Sequence, residues 1–114
     1  MIKLSKKKTQ SRWIEIDNIK LEVDYPTNEQ EAELNEILIN ASLDKEVRNL
    51  RYARYYLKYV IKNWEGIDEP CYVVNNELEK ELWLSLTKDA VQTLTIFGKV
   101  FEELQFTEAD KKKS

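Results

Sequence analysis

The segment Arg51–Trp64, RYARYYLKYVIKNW, decides the fold. With the residues on either side, Val47, Leu50, Leu57, Ile61 and Trp64 recur on one helical stripe, and Ala53 and Val60 widen it. This spacing predicts one long helix from Asp44 to Trp64, closed by Gly66 as the residue past its C-terminus. Tyr52, Tyr55, Tyr56 and Tyr59 span most of the helical wheel, so they cannot all lie on that stripe. Either their rings pack and only their hydroxyls are wet, or some of them serve a partner, since Tyr, Trp and Arg concentrate binding energy at interfaces.

Toward the N-terminus, Arg12–Asp24 alternates with period two, and Asp17-Asn18 fits a two-residue turn. The resulting register pairs Ile16 with Ile19 and Ile14 with Leu21 on one face. On the other it sets Glu15 across from Lys20 and Trp13 across from Glu22. A two-stranded hairpin is marginal alone, so its apolar face must pack on helices or join a larger sheet. Pro26 closes this region. Thr27 through Gln30 reads as a capping box opening a helix with Leu34, Ile37, Leu38 and Ala41 inward. Ser42-Leu43-Asp44 then interrupts the chain as either a turn or a kink.

Toward the C-terminus, residues 67–75 read as loop with a short extended piece at Tyr72-Val73-Val74. Asn76 with Glu79 predicts the next helix start, carrying Leu78, Leu82 and Leu86 with Trp83 beside them. Thr87, with Asp89 and a Leu86–Val91 staple, predicts a last helix from near Lys88 with the stripe Val91, Leu94, Phe97, Phe101 and Leu104. Gly98 offers a close helix approach there. From Thr107 the chain turns polar, and fraying is expected.

Composition excludes more than it selects. The 114 residues include no histidine, one cysteine and two glycines, with 42% hydrophobic and 34% charged residues and a net charge of −3. That suits one globular domain over residues 1–114, with 1–11 and 107–114 as frayed tails. A lone Cys71 makes no internal disulfide and, without histidine, anchors no zinc; it also has no cationic neighbour in sequence to activate it. Asp68-Glu69 reads as solvated loop, the Asp17, Asn18 and Asp68 spacing is not that of a calcium loop, and no glycine-rich phosphate loop exists. The expectation is no enzyme, no cofactor and no metal. MIKLSKKKTQ leads into no apolar signal core, and no window approaches the roughly 18 apolar residues of a membrane span, so a reducing cytoplasm is expected.

Charge is segregated along the chain. Residues 45–64 carry Lys45, Arg48, Arg51, Arg54, Lys58 and Lys62 against Glu46 alone, and residues 65–81 carry six carboxylates against Lys80 alone. The two stretches either face each other or stay solvated, or the basic face takes an acidic partner. A nucleic acid is disfavoured, because acidic segments flank the basic one within about a Debye length.

Val60-Ile61-Lys62-Asn63-Trp64-Glu65-Gly66-Ile67, the acidic loop Asp68-Glu69-Pro70-Cys71 and the capped Asn76-Glu77-Leu78 through Leu82 together resemble the small tail assembly chaperones of tailed bacteriophages. The hairpin and acidic helix of Trp13 to Ala41 look like the same layout. The resemblance implies a non-enzymatic factor in the host cytoplasm that binds the tape-measure protein during tail assembly, keeps its long helices soluble and is absent from the virion. Some members have a longer frameshifted form, with which Lys111-Lys112-Lys113 is compatible. The alternatives are a tail-completion or head–tail joining subunit and a small nucleic-acid-binding regulator using Arg48, Arg51 and Arg54.

The reading is therefore an α+β domain, an N-terminal β-hairpin packed on about four helices. Trp13, Arg48, Arg51, Tyr52, Tyr55, Tyr56 and Tyr59 are its candidate protein-binding surface, for the tape-measure protein or for a second copy of the chain.

Overall fold

Alternating burial along Arg12–Ile16 (β1) and Ile19–Val23 (β2) builds the hairpin in the expected register, with Ile14 opposite Leu21, Glu15 opposite Lys20 and Trp13 opposite Glu22. Asp17 takes a positive φ of 53° in the turn, a conformation that Asp tolerates better than most residues. The computed structural model describes residues 11–113, with side chains described through Gln105; the N-terminal tail expected at residues 1–11 thus lies outside the described residues up to position 10.

The sheet has a third strand, and this corrects the long helix. Lys45–Val60 (α2) stops at Val60, and Ile61–Glu65 (β3) turns back to pair antiparallel with β2, giving the order β1-β2-β3. Leu21 faces Trp64 and Glu22 faces Asn63, but Val23 faces Ile61, so Lys62 is an extra residue in the ladder. Such a bulge shifts the strand's phase. Ile61 and Trp64 therefore both point inward although three positions apart, which is also the spacing of a helical stripe. Gly66 has the expected positive φ, 88°, but it ends a strand rather than a helix.

Asn28–Leu38 (α1) opens on the predicted box: the Thr27 hydroxyl accepts from the Gln30 amide, and the Gln30 side chain accepts from the Thr27 amide. Its inward stripe is shorter than expected, because the helix ends at Leu38. Leu34 is buried, but Leu38 and Ala41 are exposed. Asp44 precedes α2 as its cap position without a side-chain cap bond.

Beyond β3, Val73–Val74 (β4) and Glu77–Leu78 (β5) form a small hairpin. Asn75 and Asn76 both take positive φ in its turn, as a primed two-residue turn demands. The helix expected at Asn76 thus begins later, as Lys80–Leu86 (α3), with the Glu79 carboxylate accepting from the Glu81 and Leu82 amides. Thr87 closes α3, its hydroxyl donating to the Trp83 carbonyl at 2.7 Å. Asp89 instead accepts from the Gln92 amide at the start of Ala90–Lys113 (α4). The backbone of α4 is helical from Thr107, where fraying was expected, as far as Lys113; Ser114 lies outside the described residues.

The buried face of α4 is Thr93, Ile96, Val100 and Leu104, with Phe97 and Phe101 partly buried beside it. Val91 and Leu94 were expected inward and are 75% and 46% exposed. A Cβ placed on Gly98 would have nothing within 4 Å, so the expected close helix approach at that residue does not occur. One apolar cluster joins Ile14, Leu21, Val23, Leu57, Ile61, Trp64, Leu78, Val100 and Leu104. The sheet's inner face, α2 and α4 thus share a single core, and the α+β class with four helices stands.

Candidate protein-binding surface

The tyrosines of α2 divide into two pairs at helical i, i+4 spacing. Tyr52 stacks on Tyr56 at 5.9 Å, and both meet the edge of Phe97 on α4, at 5.8 and 5.3 Å. Tyr55 lies 6.1 Å from Tyr59 and 5.0 Å from Trp83 on α3. Each pair therefore seats one neighbouring helix through ring contacts. Tyr56 and Tyr59 are 4% and 3% exposed and leave the candidate surface: their rings belong to the core. The Tyr59 hydroxyl donates to a Glu33 carboxylate oxygen at 2.5 Å, tying α2 to α1. Burial, first, and that carboxylate, second, push the phenol's pKa upward.

Tyr52 is half-buried, and it lines a small cavity with Tyr25, Pro26 and Glu31, away from the basic residues. Burial and then Glu31 raise its pKa as well. Trp13 is 45% exposed on the outer face of the sheet and lines a groove with Lys99 and Glu103 of α4. Arg48 is half-buried and lines neither of those cavities. Among the seven candidates, Tyr52 and Tyr56 share that small cavity, and Arg51 and Tyr55 meet in a groove that carries basic residues.

That groove, about 540 Å³, lies between the first half of α2 and α3. Val47, Leu50, Tyr55, Trp83 and Leu84 give it an apolar lining, and among the described residues Arg51 and Arg54 supply its formal charges. The local sequence explains the arrangement. Val47, Leu50 and Arg54 follow one another at helical spacing, and the indole of Trp83 anchors the opposite wall by donating to the Arg54 carbonyl at 2.6 Å. The Arg54 guanidinium sits 5.7 Å from the centre of the Trp83 ring and its Nε donates to the Thr87 hydroxyl at 3.4 Å, while the Lys58 ammonium lies 4.6 Å from the same ring. Two cations thus lie over the Trp83 ring, where its electron-rich face attracts them. Val47 and Arg51 remain exposed at the rim.

The segregated charges meet only in part. Lys58 pairs with Glu77 at 3.7 Å, and the Lys62 ammonium donates to the Tyr59 and Asn76 carbonyls at 2.8 and 3.3 Å. Lys62 therefore satisfies a C-terminal carbonyl of α2, and burial lowers its pKa against the pull of Asp24 and Glu77. Glu65 at the end of β3 and Asp68 and Glu69 in the loop that follows are exposed. The Cys71 thiol is raised, by burial and then by Glu22, which keeps it protonated and a poor nucleophile at neutral pH.

A second cleft, about 530 Å³, was not foreseen. It lies on the other side of α3, between the hairpin turn, the loop after β3 and the start of α4. The signal available in the sequence was Gly66. A Cβ there would stand 2.6 Å from the Asn18 carbonyl oxygen, so only glycine lets the loop close against the hairpin turn and form the cleft wall.

Among the described residues, no group of three or more Cys, Asp or Glu side chains is placed to hold a metal ion, and no helix is long and apolar enough to cross a membrane. No family model, curated protein or solved structure matches the chain.

Proposed function

We propose that this chain is a non-enzymatic tail assembly chaperone of a tailed bacteriophage, which binds the tape-measure protein through the groove between α2 and α3. The observation that carries the choice of site is the groove itself, where exposed Val47 and Arg51 border an apolar lining anchored by Trp83. An amphipathic helix laid apolar face down would bury those side chains, and carboxylates at its margin would meet Arg51 and Arg54. The bound segment is therefore an acidic, apolar-striped helix. The choice of partner rests on the resemblance of Val60–Ile67, Asp68–Cys71 and Asn76–Leu82 to the chaperone family; part of that last stretch builds α3, one wall of the groove.

Co-expression with a fragment of the tape-measure protein tests the reading. The fragment should become soluble and co-elute with the chain on size exclusion, and Arg51→Glu should weaken the complex by about tenfold or more, a change of ~1.4 kcal/mol. Unchanged solubility with no co-elution overturns the proposal. Detection of the chain in purified virions by mass spectrometry would instead favour a tail-completion or head–tail joining subunit.

A further inference from the structure

The cleft on the far side of α3 has the opposite electrostatic character. Ile16, Ile19, Ile67, Leu82, Leu86 and Ile96 give it an apolar lining, and among the described residues its formal charges are the carboxylates of Asp17 and Glu69. Both acids are exposed, as is Asp68, the neighbour of Glu69 in the loop after β3. We infer that this cleft is a second docking site, which takes a partner helix whose bulky apolar side chains are flanked by lysine or arginine.

Three observations lead to that occupant. At about 530 Å³, the cleft lies within the range of roughly 300–1,000 Å³ typical of ligand-holding cavities. Three of its side-chain donors, on Trp64, Gln92 and Thr95, are already used within the fold, which leaves the exposed Asn18 and Ser85 as the donors that could orient a small polar ligand. The Trp64 indole donates to the Glu69 carbonyl at 2.6 Å, the Gln92 amide to the Leu86 carbonyl at 3.2 Å, and the Thr95 hydroxyl to the Val91 carbonyl at 2.8 Å. Recognition there is by apolar burial inside an acidic rim, which selects basic flanks by charge complementarity. The walls are strand faces, a loop and two helices that present side chains, so the fitting mode is a helix laid in a groove.

This site stands apart from the tape-measure proposal. It needs no phage partner, and it shares no lining residue with the groove that carries Arg51. Panning the full chain against a yeast-displayed library of random helical peptides tests it, with each enriched clone then measured on three variants. Thr95→Arg places a long cation at the exposed mouth, Glu69→Gln removes one rim charge, and Arg51→Glu alters only the other groove; circular dichroism verifies that each is folded. The expected result is an enriched set with bulky apolar residues and Lys or Arg flanks. Its members should lose about tenfold or more in affinity on Thr95→Arg, weaken on Glu69→Gln and bind Arg51→Glu unchanged. Failure to enrich any clone that depends on Thr95, or enrichment of acidic clones that do, overturns the inference. The tape-measure proposal is untouched by either result.

Discussion

The two glycines occupy opposite environments, and substitution should separate them. Gly66 combines a φ of 88° with a hypothetical Cβ only 2.6 Å from a backbone oxygen, so Gly66→Ala adds left-handed strain to a clash that no side-chain rotation relieves. A loss of at least about 2 kcal/mol is expected in denaturant titration. Gly98 lies in the interior of α4 with open space around its Cα. Gly98→Ala should therefore gain up to about 1 kcal/mol, from helix propensity alone. If the two substitutions had equal effects, the packing of the loop against the hairpin turn would be wrong.

Element by element, what was legible in the sequence followed from local chemistry, and what was missed followed from long-range pairing. The first hairpin was readable to its register because two strands and a turn lie within twelve consecutive residues, and the Thr27–Gln30 box was readable because it bonds to itself. β3 was not readable as a strand. Its partner is distant in sequence, and the bulge at Lys62 gives Ile61 and Trp64 the burial spacing of the helix that precedes them. The remaining clues were the unmet need of the hairpin for a third strand and the β-branched pair Val60-Ile61. The exposed ends of the α2 and α4 stripes were missed for a different reason: periodicity identifies an apolar face but not where the opposing surface stops. As for the candidate surface, i, i+4 pairing could have assigned the tyrosines to two helix contacts, whereas the groove behind Arg51 required the position of α3. Contacts between elements also set an alkaline limit on stability. The Tyr59 phenol has a folded-state pKa raised above its ordinary 10.0 by burial and by Glu33, so the neutral form is the one the fold favours. Its contribution is complete below pH 10.0 and is lost as pH rises beyond that value toward the folded-state pKa. Tyr59→Phe should cost about 1 kcal/mol at neutral pH, because exposed Glu33 rehydrates, and should flatten the alkaline decline expected in melts of the unsubstituted chain.

For the whole molecule, the core is shared rather than divided among subunits of the fold. Ile96, Val100 and Leu104 of α4 belong to the same cluster as Ile14 and Leu21 of the hairpin. A chain ending at Lys88 should therefore lose cooperative unfolding and bind hydrophobic dyes; a sharp melt at the wild-type midpoint would contradict the single-core description. The position of β2 carries a further consequence, for the order in which this protein is born. Leu21 is made early, yet one of its neighbours in the sheet, Trp64, follows only after α1 and α2 have been made. Closing a longer loop adds only about 0.6 kcal/mol per doubling of its length, so the delay is one of time more than of free energy. During synthesis the edge of β2 is unpaired until β3 arrives, and the hairpin's apolar face stays incompletely covered until α4 follows. For that interval the nascent chain itself carries an exposed hydrophobic strand.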